Sequence, residues 1–123
     1  MGRPAIVEPT PVPLPDEELL ARLFRGLGDA TRIRILELLL DGPRHQKDLV
    51  AAVGLSQGRV SQHLSCLLWC GYVEAERQGR SVQYRIANAR VAALLDLGRG
   101  FLESTAGDIG SCRIVAGGGS SED

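Results

Sequence analysis

The absences narrow this sequence first. No apolar run approaches the roughly 18 residues that a membrane-spanning helix needs, so no membrane association is expected. No charged segment followed by an apolar one opens the chain, so no secretion signal is expected. The three cysteines, Cys66, Cys70 and Cys112, are an odd number, which excludes a complete set of internal disulfides. Free thiols point to a reducing cytoplasm, where they are available for metal or redox chemistry. There is no glycine-rich phosphate loop and no histidine at catalytic spacing from a carboxylate, and 123 residues leave little room for a substrate cleft, so the chain is not expected to be an enzyme. No internal repeat is present.

Neither sign of charge dominates, for the net charge is −1. That sum speaks against nucleic acid, but the distribution speaks for it. Residues 22–90 carry eleven Lys and Arg against six Asp and Glu, an excess of five positive charges, while the remainder is acidic. Affinity for phosphates follows local charge rather than the total. Charge alone fits a solvated basic surface equally well.

Five of the six prolines lie within residues 1–15, so this arm is expected to be extended or disordered. Residues 113–123, with Gly117-Gly118-Gly119-Ser120-Ser121, are expected to form a flexible tail. Between them, 16–112 is expected to form one domain with a modest core. A first helix begins at Asp16-Glu17-Glu18, carries Leu19, Leu20, Leu23, Phe24 and Leu27 at helical spacing, and ends at Gly26 and Gly28. A second starts after Asp29 with the stripe Ile33, Leu36, Leu39 and Leu40, and stops at Asp41-Gly42-Pro43. A short third covers Gln46–Val53, with Leu49, Val50 and Val53 inward. A fourth, capped by Ser56, runs over 57–70 with Val60, Leu64, Leu67 and Leu68 apolar. The period then changes to two: residues 72–77 and 81–86 read as strands joined at Gln78-Gly79-Arg80. A last helix covers 89–103, using Val91, Leu94, Leu95, Gly98 and Leu102. The fold class is thus mainly α with a small β-hairpin, and the third helix, the turn Gly54-Leu55-Ser56 and the fourth helix make a helix-turn-helix followed by a basic wing.

A recognition helix buries one face and presents small polar or basic side chains on the other. With Val60, Leu64 and Leu67 inward, Ser56, Gln57, Arg59, Ser61, Gln62 and His63 remain for phosphates and bases. On the hairpin, Arg77, Gln78, Arg80 and Arg85 are placed to grip the backbone or minor groove beside it. A protein-binding winged helix remains an alternative.

Leu27-Gly28-Asp29-Ala30-Thr31-Arg32-Ile33-Arg34-Ile35-Leu36 resembles the second-helix signature of the ArsR/SmtB family of winged-helix metal sensors. Leu55 to Leu67, with Ser61, His63 and Leu64, resembles that family's recognition helix, and Gln78-Gly79-Arg80 with Val82 and Tyr84 its wing. The resemblance covers about 16–103. It implies a homodimeric repressor whose first and last helices form the dimer interface and whose grip on operator DNA is weakened by metal. The family's third-helix site needs a Cys-x-Cys motif, and His45-Gln46-Lys47-Asp48-Leu49-Val50 holds no cysteine. Its last-helix zinc or nickel site needs Asp with His or Glu; here Asp96 and Glu103 are present but no His follows His63.

Cys66 and Cys70 stand at i, i+4, which places both sulfurs on one helix face with Cβ atoms about 5–6 Å apart. Cys112 lies beyond the expected last helix, after a Gly107–Gly110 stretch read as flexible and able to fold back with a third thiolate. Three sulfurs without a nitrogen partner suit a soft ion, and on chemistry alone Hg(II) fits as well as Cd(II) or Pb(II). Leu64-Ser65-Cys66-Leu67 followed by Cys70-Gly71 resembles the cadmium/lead-sensing branch of the family, which implies Cys66, Cys70 and Cys112 as metal ligands. Two alternatives stay open: the cysteines are small buried hydrophobes, or they form a reversible disulfide in a redox-responsive repressor. Trp69, between the thiols, reads as a packing residue.

Overall fold

The computed structural model describes residues 14–115. The expected arm and tail therefore lie outside the described residues, except for 14–15 and for 113–115, which are helical. The described elements are α1 (Asp16–Leu27), α2 (Ala30–Leu40), β1 (Arg44–His45), α3 (Gln46–Val53), α4 (Gln57–Trp69), β2 (Val73–Gln78), β3 (Ser81–Ile86) and α5 (Arg90–Ser111). They fall into two units, one ending at Asn88 and one beginning at Ala89.

Local chemistry sets most boundaries of the first unit. Asp16, Glu17 and Glu18 in the first turn of α1, with Arg25 in its last, complement the helix dipole. The Asp29 carboxylate accepts from the backbone N–H groups of Thr31 at 2.8 Å and Arg32 at 3.1 Å, satisfying two of the donors that the start of α2 leaves open. At the turn between α3 and α4, Gly54 has φ +76°, a left-handed conformation that costs other residues about 1–2 kcal/mol. Ser56 then caps α4 by accepting from the Arg59 N–H at 3.2 Å.

The sheet order is β1–β3–β2, antiparallel throughout. Val73 faces Ile86, Ala75 faces Tyr84 and Arg77 faces Val82. Side chains alternate along a strand, so these six share one side, and Glu74, Glu76, Gln78, Ser81, Gln83 and Arg85 share the other. Gly79, with φ +63°, makes the turn. The sequence gives no sign of β1, which is two residues long and too short for alternation to show.

The core of this unit is Leu27 of α1, Ile35, Leu36 and Leu39 of α2, Leu49 of α3, Val60, Leu64 and Leu67 of α4, and Tyr72 and Val73 at the start of the wing. Of the expected α2 stripe, Ile33 is half-buried and Leu40 exposed, while Ile35 is fully buried in their stead. α2 packs against α1, α3, α4 and β3, and a helix enclosed on several sides has no single apolar stripe to read.

In the second unit, α5 runs to Ser111, eight residues past the expected end. The stretch Gly107–Gly110 is helix rather than a flexible connector. Glycine lowers helix propensity without forbidding the geometry. Thr105 Oγ1 donates to the Phe101 carbonyl at 2.8 Å and Ser111 Oγ to that of Gly107 at 2.7 Å, so side chains bond back along the helix through this region. Val91 and Leu95 are buried, whereas Gly98 and Leu102, expected in the same stripe, are exposed together with Leu97, Phe101 and Ile109. Among the described residues no helix is long and apolar enough to cross a membrane.

Candidate nucleic-acid interface and thiol pair

Helix α4 buries Val60, Leu64 and Leu67 and exposes Ser56, Gln57, Arg59 and Gln62 on the other side. Two further residues expected at the DNA are engaged within the fold. Ser61 Oγ accepts from Gln46 Nε2 at 2.6 Å, pinning α4 to α3. The His63 side chain is only 16% exposed, with Nδ1 3.8 Å from Asp29 Oδ1 and 3.4 Å from Arg32 Nη1.

The wing divides in the same way. Arg77 and Arg80 reach a cleft of about 420 Å³ whose lining also includes His45, Gln46, Lys47 and Gln57. No carboxylate lines this cleft, so three cations and two amide groups face one solvent-filled space, a setting that attracts anions. Gln78 Oε1 lies 3.0 Å from His45 Nε2, and Gln78 Nε2 donates to Gln83 Oε1 at 3.2 Å. Arg85 stands on the opposite side of the hairpin from Arg77, paired with Glu76 at 3.0 Å and Glu74 at 3.4 Å. Its positive charge is offset locally, unlike those of the cleft.

Sequence reading anticipated Gln57, Arg77 and Arg80 but missed His45, Gln46 and Lys47. Lys47 was visible as part of the basic middle of the chain. Its neighbourhood was not, because the β1 pairing of Arg44 with Tyr84 and His45 with Gln83 brings the start of α3 beside the wing.

The structure brings Cys66 and Cys70 together one turn apart at the end of α4, where the Cys70 backbone N–H donates to the Cys66 carbonyl at 3.0 Å. Cys66 is half-buried and Cys70 exposed, yet partial desolvation of the Cys70 thiol raises its pKa, the neighbouring Cys66 raises it further, and Arg32 opposes both. The Tyr72 phenol is raised in the same way, first by burial and then by Cys70 and Cys66, again against Arg32. Tyr72 donates its hydroxyl to the Leu23 carbonyl at 2.6 Å. At Gly26, a Cβ would lie 3.2 Å from Tyr72 Cε2 and 3.8 Å from Cys70 Sγ, so the sulfur rests close to the last turn of α1. Trp69 does not pack as expected and is 59% exposed. Cys112 is the half-buried C-cap residue of α5. Among the described residues no group of three or more Cys, His, Asp and Glu is gathered as a metal ion would need.

Comparison with known proteins matches residues 29–75, from the cap of α2 into the wing, to the profile of bacterial regulatory proteins of the arsR family. The chain is 41% identical to a probable mercury resistance operon repressor of Streptomyces lividans, over 88% of this chain and 86% of that one. It is 49% identical to the HTH-type transcriptional regulator CmtR of Mycobacterium tuberculosis, over 64% of this chain and 67% of the relative. Among solved structures, the homodimeric winged helix-turn-helix domain of a possible ArsR-family regulator from Mycobacterium bovis superposes with a TM-score of 0.65 at 31% identity, covering 75% of this chain and 90% of that one.

Proposed function

The chain belongs to the ArsR family of DNA-binding transcriptional regulators and is not an enzyme, and from that premise we propose that it is a repressor that holds operator DNA as a homodimer and releases it when its cysteine thiolates capture a soft ion, Cd(II), Pb(II) or Hg(II). The observation that carries this reading is the pair of thiols one helical turn apart, Cys66 on α4 and Cys70 at its C-cap, on the helix that also exposes Gln57, Arg59 and Gln62. Two adjacent sulfur donors fit a thiophilic ion and suit a hard one poorly. Cys66 and Cys70 would hold it, with Cys112 as third ligand from the same protomer or its partner. The bound ion would supply a fixed positive charge that keeps the thiolates deprotonated. The relative named for mercury resistance supports mercury, and the resemblance of the α4 cysteines supports cadmium or lead.

The chain's own groups do the rest. Gln57, Arg59 and Gln62 face the groove, and Lys47, Arg77 and Arg80 hold backbone phosphates. Dimerisation through α1 and α5 is supported by the large apolar side chains they expose, Leu19, Leu20 and Phe24 on one and Leu97, Phe101 and Ile109 on the other. Such a protein works beside the DNA, in the cytoplasm.

Adjacent thiols also favour a second reading, in which an oxidant takes two electrons and two protons from Cys66 and Cys70 to close a disulfide. Anaerobic titration of the reduced protein separates the two: sulfur-to-metal absorption with operator release supports the metal reading, and release only on oxidation supports the other. Cys66→Ser and Cys70→Ser are expected to keep operator binding and lose release by metal. Release with wild-type metal dependence in either variant overturns the proposal.

A further inference from the structure

Resting on the thiol-sensing reading above, we infer that Arg32 is the positioning residue that couples the Cys66–Cys70 pair to the recognition helix and to the end of α1. Its guanidinium makes three contacts at once. Nε donates to the Gly26 carbonyl at 2.8 Å, Nη2 to the Arg25 carbonyl at 3.4 Å, and Nη1 lies 3.4 Å from His63 Nδ1. Arginine has no acceptor, so Nδ1 accepts there. The Arg32 backbone is fixed from the other side, where its N–H donates to Asp29. One planar fork therefore ties the last turn of α1 to the middle of α4.

One of the thiols lies at the same place. Cys70 Sγ rests close to Gly26, the residue whose carbonyl takes the 2.8 Å bond from Arg32. Drawing that sulfur onto an ion moves its contact with Gly26, and a rigid fork cannot follow the Gly26 carbonyl and keep its contact with His63. Any shift at the sulfurs thus reaches His63, three residues before Cys66 on α4, and the helix end that Tyr72 holds through Leu23.

The test is Arg32→Lys, which keeps the charge but replaces the fork by one ammonium unable to span Gly26 and His63. With Cd(II) as probe, the wild type should lose operator affinity by about 5–150-fold. Arg32→Lys should show the same sulfur-to-cadmium absorption and an operator affinity close to wild type without metal, while its loss on adding cadmium falls toward none. The His63 ring NMR signals should shift with cadmium in the wild type and stay fixed in the variant, a readout that general destabilisation does not mimic. Should thermal unfolding show that Arg32→Lys does not fold, Arg32→Gln, which keeps a donor for Gly26, carries the same expectation. Wild-type cadmium dependence in the folded variant overturns the coupling role alone. Absence of any sulfur-to-cadmium absorption in the wild type overturns the thiol-sensing reading, and this inference with it.

Discussion

Removing one cation from the cleft between α3 and the wing should change how operator binding responds to salt, by an amount that can be worked out beforehand. Lys47, Arg77 and Arg80 line a space with no facing carboxylate, so each is available to a phosphate. A protein that neutralises a phosphate of duplex DNA releases condensed counterions, and log K falls with log salt by about 0.9 per phosphate contacted. In a dimer, Arg80→Ala or Lys47→Ala removes two such contacts and should make the slope shallower by about 1.8. Between about 50 and 200 mM salt the wild type should then lose roughly tenfold more affinity than the variant. Arg85→Ala is the internal control. Its guanidinium is already held by Glu76 at 3.0 Å and Glu74 at 3.4 Å on the other side of the hairpin, so its slope should match wild type. Fluorescence anisotropy of a labelled operator over a salt series measures all three. An unchanged slope in Lys47→Ala and Arg80→Ala, or an equal change in Arg85→Ala, refutes the assignment of the cleft to phosphate.

Other consequences concern stability. Leu64 is 1% exposed in the centre of α4, and Leu64→Ala should cost about 2–5 kcal/mol in denaturant unfolding, whereas a surface-like cost below about 1 kcal/mol would contradict its place in the core. Burial raises the Tyr84 phenol above its ordinary pKa of 10.0. The folded state therefore favours the neutral phenol: that contribution is complete below the unfolded value and is lost as pH rises through the raised one. Tyr84→Phe should show a shallower alkaline loss of stability than wild type in unfolding midpoints measured across pH, and identical profiles would count against the burial.

Much of the architecture was legible locally, because it is written in short-range chemistry. Asp29 and Ser56 cap helices by bonding to backbone within three residues, Gly54 and Gly79 take the turns, and the change of period after Gly71 marks the wing. The spacing of Cys66 and Cys70 likewise fixed their shared face, since four residues bring a helix round by about one turn. What the sequence could not determine are the pairings between distant segments. Ser61, His63, Gln78 and Arg85 looked equivalent to Gln57 and Arg80 as exposed polar residues, yet their partners are Gln46, Arg32, His45 and Glu76, between 9 and 33 residues away. A polar side chain has the same composition whether it faces a phosphate or a neighbouring element. Only the packing of α2, α3 and the hairpin around α4 decided which it does, because hydrogen bonds and ion pairs act over a few ångströms of space and are indifferent to separation along the chain.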